Sequence, residues 1–173
     1  MLVYFTCENY RSIKEPIELN LRATPRLRRM SEHVRIPTEQ KSLKVLKSAV
    51  LYGANASGKS NVLKAMSFAK NLITSPIEAG SKLDNSPFLL SDDISTDSSF
   101  YFEFVICKER FGYFVKLNNS EIIEEALTLL MGSSNPFTIF ERILENGVHK
   151  FSTDADLTEE LQTEFQYLTK YTS

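Results

Sequence analysis

The first 47 residues carry two strand-like patterns followed by a long polar segment. Apolar and aromatic residues are dense from residue 2 to residue 8, and residues 16–21 alternate with period two. These patterns predict two antiparallel strands joined by a turn at residues 9–15. Residues 22–47 show no sustained period and contain two prolines, which predicts a loop or a partly ordered excursion.

A buried strand, a tight turn and a helix are predicted next. The apolar run at residues 48–52 ends at Gly53 and predicts a short buried parallel strand. Residues 77–99 are rich in Ser, Asp, Gly and Pro, and predict a polar connection with an apolar anchor at residues 88–90. Between these segments, apolar residues form one helical stripe that Pro76 ends: Val62, Ala65, Met66, Ala69, Leu72 and Ile73.

The following segment has the pattern of a β-hairpin. Residues 100–106 and 111–117 are aromatic-rich runs separated by a polar turn. Residues 122–131 fit either a helical stripe or a strand. We interpret them as a strand, because the neighbouring segments predict hairpins.

The end of the chain predicts a further hairpin and a helix. Residues 137–144 and 148–151 flank Asn146-Gly147, a strong signal for a two-residue hairpin turn. Residues 100–152 are therefore expected to be β-rich. A capping-box-like pair and an apolar face predict a C-terminal helix at residues 156–171.

Composition limits the class of protein. The chain has 173 residues, of which 42% are hydrophobic and 24% charged, as expected of a single globular domain with its own core. No apolar stretch approaches the roughly 20 residues of a membrane span. Two cysteines and two histidines are too few for a zinc site and fit a reducing cytoplasm. We therefore expect a cytoplasmic protein that does not enter a membrane.

Charge is distributed unevenly along the chain. The formal net charge is only −2, but residues 1–75 hold 13 basic and 5 acidic side chains, whereas residues 76–173 hold 7 and 17. Much of the basic excess lies between Arg22 and Lys47. Such a segment can follow the phosphates of a nucleic acid, and it is also compatible with a solvated loop, which is the commoner case.

One motif carries chemistry. Residues 53–60 match the phosphate-binding pattern G-x-x-x-x-G-K-[ST] directly between a predicted strand and a predicted helix. The glycines let backbone N–H groups approach a phosphate, and the helix start adds its unpaired N–H groups. Lys59 is the expected partner of the β- and γ-phosphates, and the Ser60 hydroxyl the expected Mg²⁺ ligand. The predicted site comprises Gly53, Ala54, Asn55, Ala56, Ser57, Gly58, Lys59, Ser60 and Asn61.

The loop and its surroundings resemble a known group of ATPases. With Asn55 and Asn61 in place, the loop is similar to those of ABC-type ATPases of the RecF and SMC kind, and residues 5–13 resemble their first strand and turn. Together with residues 86–90, these features resemble bacterial AAA-family ATPases related to the overcoming-lysogenization-defect proteins, several of which occur in phage-defence loci. The resemblance implies an α/β P-loop NTPase fold, namely an ABC-like N-terminal lobe with a mixed or antiparallel β portion.

The same resemblance implies ligands and partners. Arg11 and Ser12 would sit close to the nucleotide, and ATP is favoured over GTP because the sequence has no N-K-x-D motif. A homodimer or an effector partner would complete the site. No L-S-G-G-like signature and no strand ending in Asp-Glu precedes residue 173, so we expect an incomplete lobe that binds ATP without turning it over. If turnover occurs, Glu103, Glu124 and Glu125 are the first candidate acids.

Two alternatives remain from the sequence. A small P-loop kinase would suit the length, but such kinases usually place the loop after their first strand and carry an arginine-rich lid. A non-catalytic nucleic-acid-binding module would use residues 22–47 and is compatible with ATP binding. The salt dependence of any DNA affinity distinguishes this module from a solvated loop.

Overall fold

A single antiparallel sheet organises the described part of the chain. The computed structural model describes residues 1–24, 31–39, 41–75, 82–90, 95–132, 135–156 and 163. Within these residues the main sheet has seven strands in the order β2-β1-β5-β6-β7-β8-β9. The elements are β1 (Leu2–Glu8), β2 (Ile17–Asn20), a short 3₁₀ helix (Ser31–His33), β3 (Val34–Arg35), β4 (Val45–Leu46), α1 (Lys59–Thr74), β5 (Ser98–Ile106), β6 (Glu109–Leu117), β7 (Ile122–Leu129), β8 (Phe137–Glu145) and β9 (Val148–Ser152).

Tight turns set the register of the later strands. Cys107 and Lys108, with φ of 50° and 69°, join β5 to β6, and Asn146 and Gly147, with φ of 53° and 78°, join β8 to β9. Two consecutive positive φ angles match the right-handed twist of the flanking strands. The predicted hairpins are confirmed. The helical alternative for residues 122–131 is wrong, because β7 pairs with strands on both sides.

The core lies between one sheet face and α1. Ala65 and Ala69 are fully buried, so that the helix approaches the sheet closely. Phe68 of α1 stacks on Tyr10 with ring centroids 5.4 Å apart, and both rings contact Phe100 of β5 at 5.5 Å. The helix predicted after the glycine turn is confirmed, and its buried face anchors the segment that precedes it.

The opposite face of the sheet carries a buried carboxylate. Glu103 is 3% exposed and forms ion pairs with Arg22 and, at 3.8 Å, with Arg110. The Arg22 guanidinium also lies 5.2 Å from the ring centroid of Tyr4. The first residue of the basic excursion is therefore held against the sheet.

Two sequence predictions are corrected. Residues 48–52 do not form a buried strand: they lie outside every described strand, and Val50 and Tyr52 are 83% and 91% exposed. A buried strand needs neighbours to pair its N–H and C=O groups, and no described strand pairs with this run. The anchor at residues 88–90 is wrong for Leu89 and Leu90, which are exposed, whereas Phe88 is half-buried and Leu83 is buried.

Other predictions fall partly or wholly outside the described residues. The basic excursion is described except at residues 25–30 and 40, and it contains the short antiparallel pair β3–β4. The polar connection at residues 77–99 is described except at residues 77–81 and 91–94. The C-terminal helix lies outside the described residues except for Asp156 and Thr163. Among the described residues, no helix has the length and apolarity to cross a membrane.

Candidate functional site

The phosphate-binding loop leads directly into α1. Ala56 and Gly58 both adopt left-handed backbone conformations, with φ of 64° and 88°. Gly58 is the N-cap residue of α1, and no described side chain caps that end of the helix. The Asn61 N–H donates to the Gly58 carbonyl oxygen at 2.8 Å, whereas the N–H groups of Lys59 and Ser60 have no described partner and remain open to an anionic ligand, and the helix dipole favours negative charge there.

The side chain of Lys59 folds back over the loop. Its Nζ donates hydrogen bonds to the carbonyl oxygens of Gly53 and Ala54, at 2.8 and 2.7 Å, and lies 3.4 Å from the Ser57 hydroxyl. Three donors on one ammonium allow part of this set to be exchanged for phosphate oxygens. The structure thus brings together Lys59 and the loop residues that the motif predicts as its neighbours.

The turn after β1 packs against the same loop. The Asn61 Nδ2 donates to the Ser12 hydroxyl oxygen at 2.6 Å. A Cβ placed on Gly58 would lie 3.4 Å from that same oxygen, so Ser12 sits beside the start of the helix. Ser12 therefore lies beside the loop, and its proximity to a nucleotide stays a prediction.

Arg11 has a different environment. Its Nε donates to the Tyr10 hydroxyl at 3.2 Å, and its guanidinium carbon lies 5.5 Å from the Tyr10 ring centroid. No described contact joins its side chain to the phosphate loop. The side chains of Asn55 and Ser60 are likewise exposed, and no described contact joins them to the rest of the site. Their roles in a nucleotide site stay predictions.

A cleft adjoins the loop. It has a volume of about 390 Å³ and is bounded by the loop, by the turn after β1 and by the residues just before the loop. Its apolar lining comes from Ile13, Ile17, Leu51, Tyr52 and Val62. Sequence reasoning assigned Leu51 and Tyr52 to a buried strand and so missed them as cleft residues. The signal available in the sequence was an aromatic residue immediately before the first motif glycine.

The polar groups suit a phosphate better than a protein-held metal. No cluster of three or more His, Cys, Asp or Glu residues arranged to hold a metal occurs within the described ranges. Mg²⁺ commonly binds through one or two protein oxygens together with substrate phosphates and water. A single hydroxyl, that of Ser60, fits an ion of this kind that arrives with a nucleotide.

A family comparison agrees with the motif. The family described as an AAA domain of the AbiEii toxin type, from type IV toxin–antitoxin systems, has a model that matches residues 48–165, which is more than half of the chain. The match includes the phosphate-binding loop, α1 and strands β5 to β9. No curated protein matches the chain.

Proposed function

Since the chain belongs to the AbiEii toxin-type AAA domain family, we propose that it is the ATP-binding lobe of an ABC-type ATPase of the RecF and SMC kind. The family makes it a P-loop ATPase-type domain. The finer assignment rests on Asn55 and Asn61 in the loop and on the likeness of residues 5–13. The type IV toxin–antitoxin description and the same likeness both favour a role in phage defence.

The placement of Lys59 carries the proposal. Its ammonium lies over the loop carbonyls at the start of α1, where an uncapped helix end and a left-handed Gly58 leave backbone N–H groups accessible. Lys59 would hold the β- and γ-phosphates of ATP, and Ser60 would hold the Mg²⁺ that neutralises them. The adjoining cleft would take the ribose and base, with Tyr52 as an apolar wall.

Turnover would require groups from another segment or subunit. Phosphoryl transfer depends on positioned water and on charge stabilisation from both sides of the γ-phosphate. The described contacts around the loop supply donors from one side. We therefore assign ATP binding to this lobe, and assign hydrolysis to a complete cytoplasmic assembly with a second copy or an effector partner.

A binding experiment tests this proposal. A fluorescent ATP analogue with Mg²⁺ is titrated against the wild-type chain, Lys59→Ala and Lys70→Ala. Lys70 is an exposed lysine near the other end of α1, so its replacement controls for net charge. Loss of a charge-assisted contact is expected to weaken binding by about 10- to 100-fold in Lys59→Ala alone. Equal affinities for the two variants would remove Lys59 from the site.

A further inference from the structure

Two segments that stand apart in the sequence meet beside the candidate site. The turn that follows β1, residues 9–13, contacts residues 86–88 through two backbone N–H groups. The Arg11 N–H donates to the Ser86 carbonyl oxygen at 2.6 Å, and the Phe88 N–H donates to Asn9 Oδ1 at 2.9 Å. Residues 86–90 resemble a motif of the ATPase group, and the proposed function leaves them without a role. Within this segment, Phe88 contacts the side chain of Asn9.

Asn9 uses its whole side-chain amide in these contacts. Besides accepting from Phe88, its Nδ2 donates to the carbonyl oxygens of Ser95 and Asp97, at 2.7 and 2.9 Å. Its φ of 51° lies in the left-handed region, which asparagine tolerates better than most residues. Its backbone carbonyl also accepts from the Ser98 hydroxyl. Asn9 therefore fixes the end of β1 to four positions of the polar connection, three of them through its side chain.

The fixed turn carries Ser12 to the phosphate loop. Tyr10 and Ile13 exchange two backbone hydrogen bonds of 2.9 Å, which close the turn around Ser12. Ser12 in turn accepts from Asn61 of α1 at 2.6 Å. A closed turn moves as a unit, so the anchor at Asn9 determines where the Ser12 hydroxyl lies relative to the loop.

We propose that Asn9 is a positioning residue of the nucleotide site, and that it acts by seating Ser12 against Gly58 and Asn61. The effect on nucleotide affinity rests on the proposed function. The seating of Ser12 does not, because it is a property of the chain without nucleotide. The two ideas can therefore fail separately.

The test uses substitutions that separate backbone from side chain. Asn9→Gly keeps the left-handed conformation accessible and removes the three side-chain hydrogen bonds. Asn9→Asp keeps the acceptor for Phe88 and loses both donations, which provides a second variant if the first folds poorly. Asn20→Gly is the matched control. Asn20 is an exposed residue of β2, where it pairs with Tyr4 of β1, and its Oδ1 also accepts a hydrogen bond, from the Arg22 N–H at 2.9 Å.

The first readout needs no nucleotide. The side-chain amide signals of Asn61 in a ¹H–¹⁵N spectrum report its contact with Ser12. We expect these signals to shift in Asn9→Gly and Asn9→Asp in the same direction as in Ser12→Ala, and to stay in place in Asn20→Gly. Asn61 signals that move in Ser12→Ala but not in either Asn9 variant overturn the proposal.

The second readout is the affinity for the fluorescent ATP analogue. Ser12→Ala and Asn9→Gly are each expected to weaken binding by about 2- to 10-fold. The double variant is expected to have the same affinity as the single variant that binds more weakly, because both changes remove the same contact. Multiplicative effects would show that Asn9 acts by another route. If the wild type binds no ATP while the Asn61 signals move as expected, the proposed function fails and the seating of Ser12 stands.

Discussion

Replacing Gly58 by alanine tests whether the loop has its left-handed conformation in solution. Gly58 has a φ of 88°, and a Cβ there would meet only the Ser12 hydroxyl oxygen, at an ordinary contact distance of 3.4 Å. The stability cost therefore comes from the backbone. An alanine in the left-handed conformation destabilises the folded state by about 1–2 kcal/mol. Alanine also lowers the conformational entropy of the unfolded chain, which offsets about 0.4–1 kcal/mol of this loss. The expected net loss is about 1 kcal/mol.

Gly147 provides a control with the same backbone and no nearby atoms. Its φ is 78°, and a Cβ there would meet no described atom within 4 Å. Gly147→Ala should therefore lose a similar amount of stability, about 1 kcal/mol. Gly147 lies in the β8–β9 turn, so the ATP affinity of the Gly147→Ala chain should equal that of the wild type. Gly58→Ala should bind the ATP analogue at least about fivefold more weakly, because the strain of a left-handed alanine at the N-cap displaces the N–H groups that start α1 and would face the phosphate.

Urea unfolding of both variants tests the backbone conformation of Gly58, and titration with the ATP analogue tests whether the phosphate lies beside it. A Gly58→Ala chain as stable as the wild type, beside a destabilised Gly147→Ala chain, would mean that Gly58 is not left-handed in solution. Equal ATP affinities for the two variants would mean that the phosphate does not approach Gly58. Either result would refute the geometry on which the nucleotide site is built.

Three further predictions concern pH, nucleic acid and turnover. Burial and the nearby Arg142 lower the pKa of His149. As the pH falls below about 6.5, the histidine of the unfolded chain is therefore protonated before that of the folded chain, and the free energy of unfolding should decrease. Urea unfolding at pH 7.5 and 5.5 should show a smaller decrease for His149→Gln than for the wild type or the exposed control His33→Gln. Replacing the three arginines of residues 26–29 by glutamine should weaken DNA or RNA binding and reduce its salt slope by up to about 3, whereas a wild type without affinity at low salt favours the solvated loop. Residues 1–173 alone should show neither an ATP-dependent dimer by sizing nor Lys59-dependent phosphate release, and turnover near 1 per second would contradict this.

Local chemistry explains why much of the fold was predictable. The Asn146-Gly147 turn, the alternation at residues 16–21 and the apolar stripe of α1 each act within a few residues, and the structure has a turn, the strand β2 and a helix at these places. The phosphate-binding motif is also a local pattern: in the structure Lys59 lies against the carbonyl oxygens of Gly53 and Ala54, and its contact with phosphates stays a prediction.

Contacts between distant segments were not predictable. The apolar run at residues 48–52 has the composition of a buried strand, but burial depends on a neighbouring strand that the run itself does not encode. Leu83 and Leu90 differ little in local pattern, yet only Leu83 is buried. Asn9 reads as an ordinary turn residue in the sequence, whereas its three side-chain partners lie 79–88 residues away.

The described acidic residues differ in their partners, and this difference changes which of them is a candidate general base for hydrolysis. Glu103 is buried against two arginines on the outer sheet face, and Glu125 pairs with Arg142 while accepting from a tyrosine hydroxyl. Both carboxylates are held by these partners, and neither has a described contact with the phosphate loop. Glu15 is the acidic residue in the described lining of the cleft that also contains Lys59. A general base must lie within hydrogen-bond reach of the water it activates. If this lobe does turn over ATP, Glu15→Gln is therefore the first variant to make, ahead of Glu103 and Glu125.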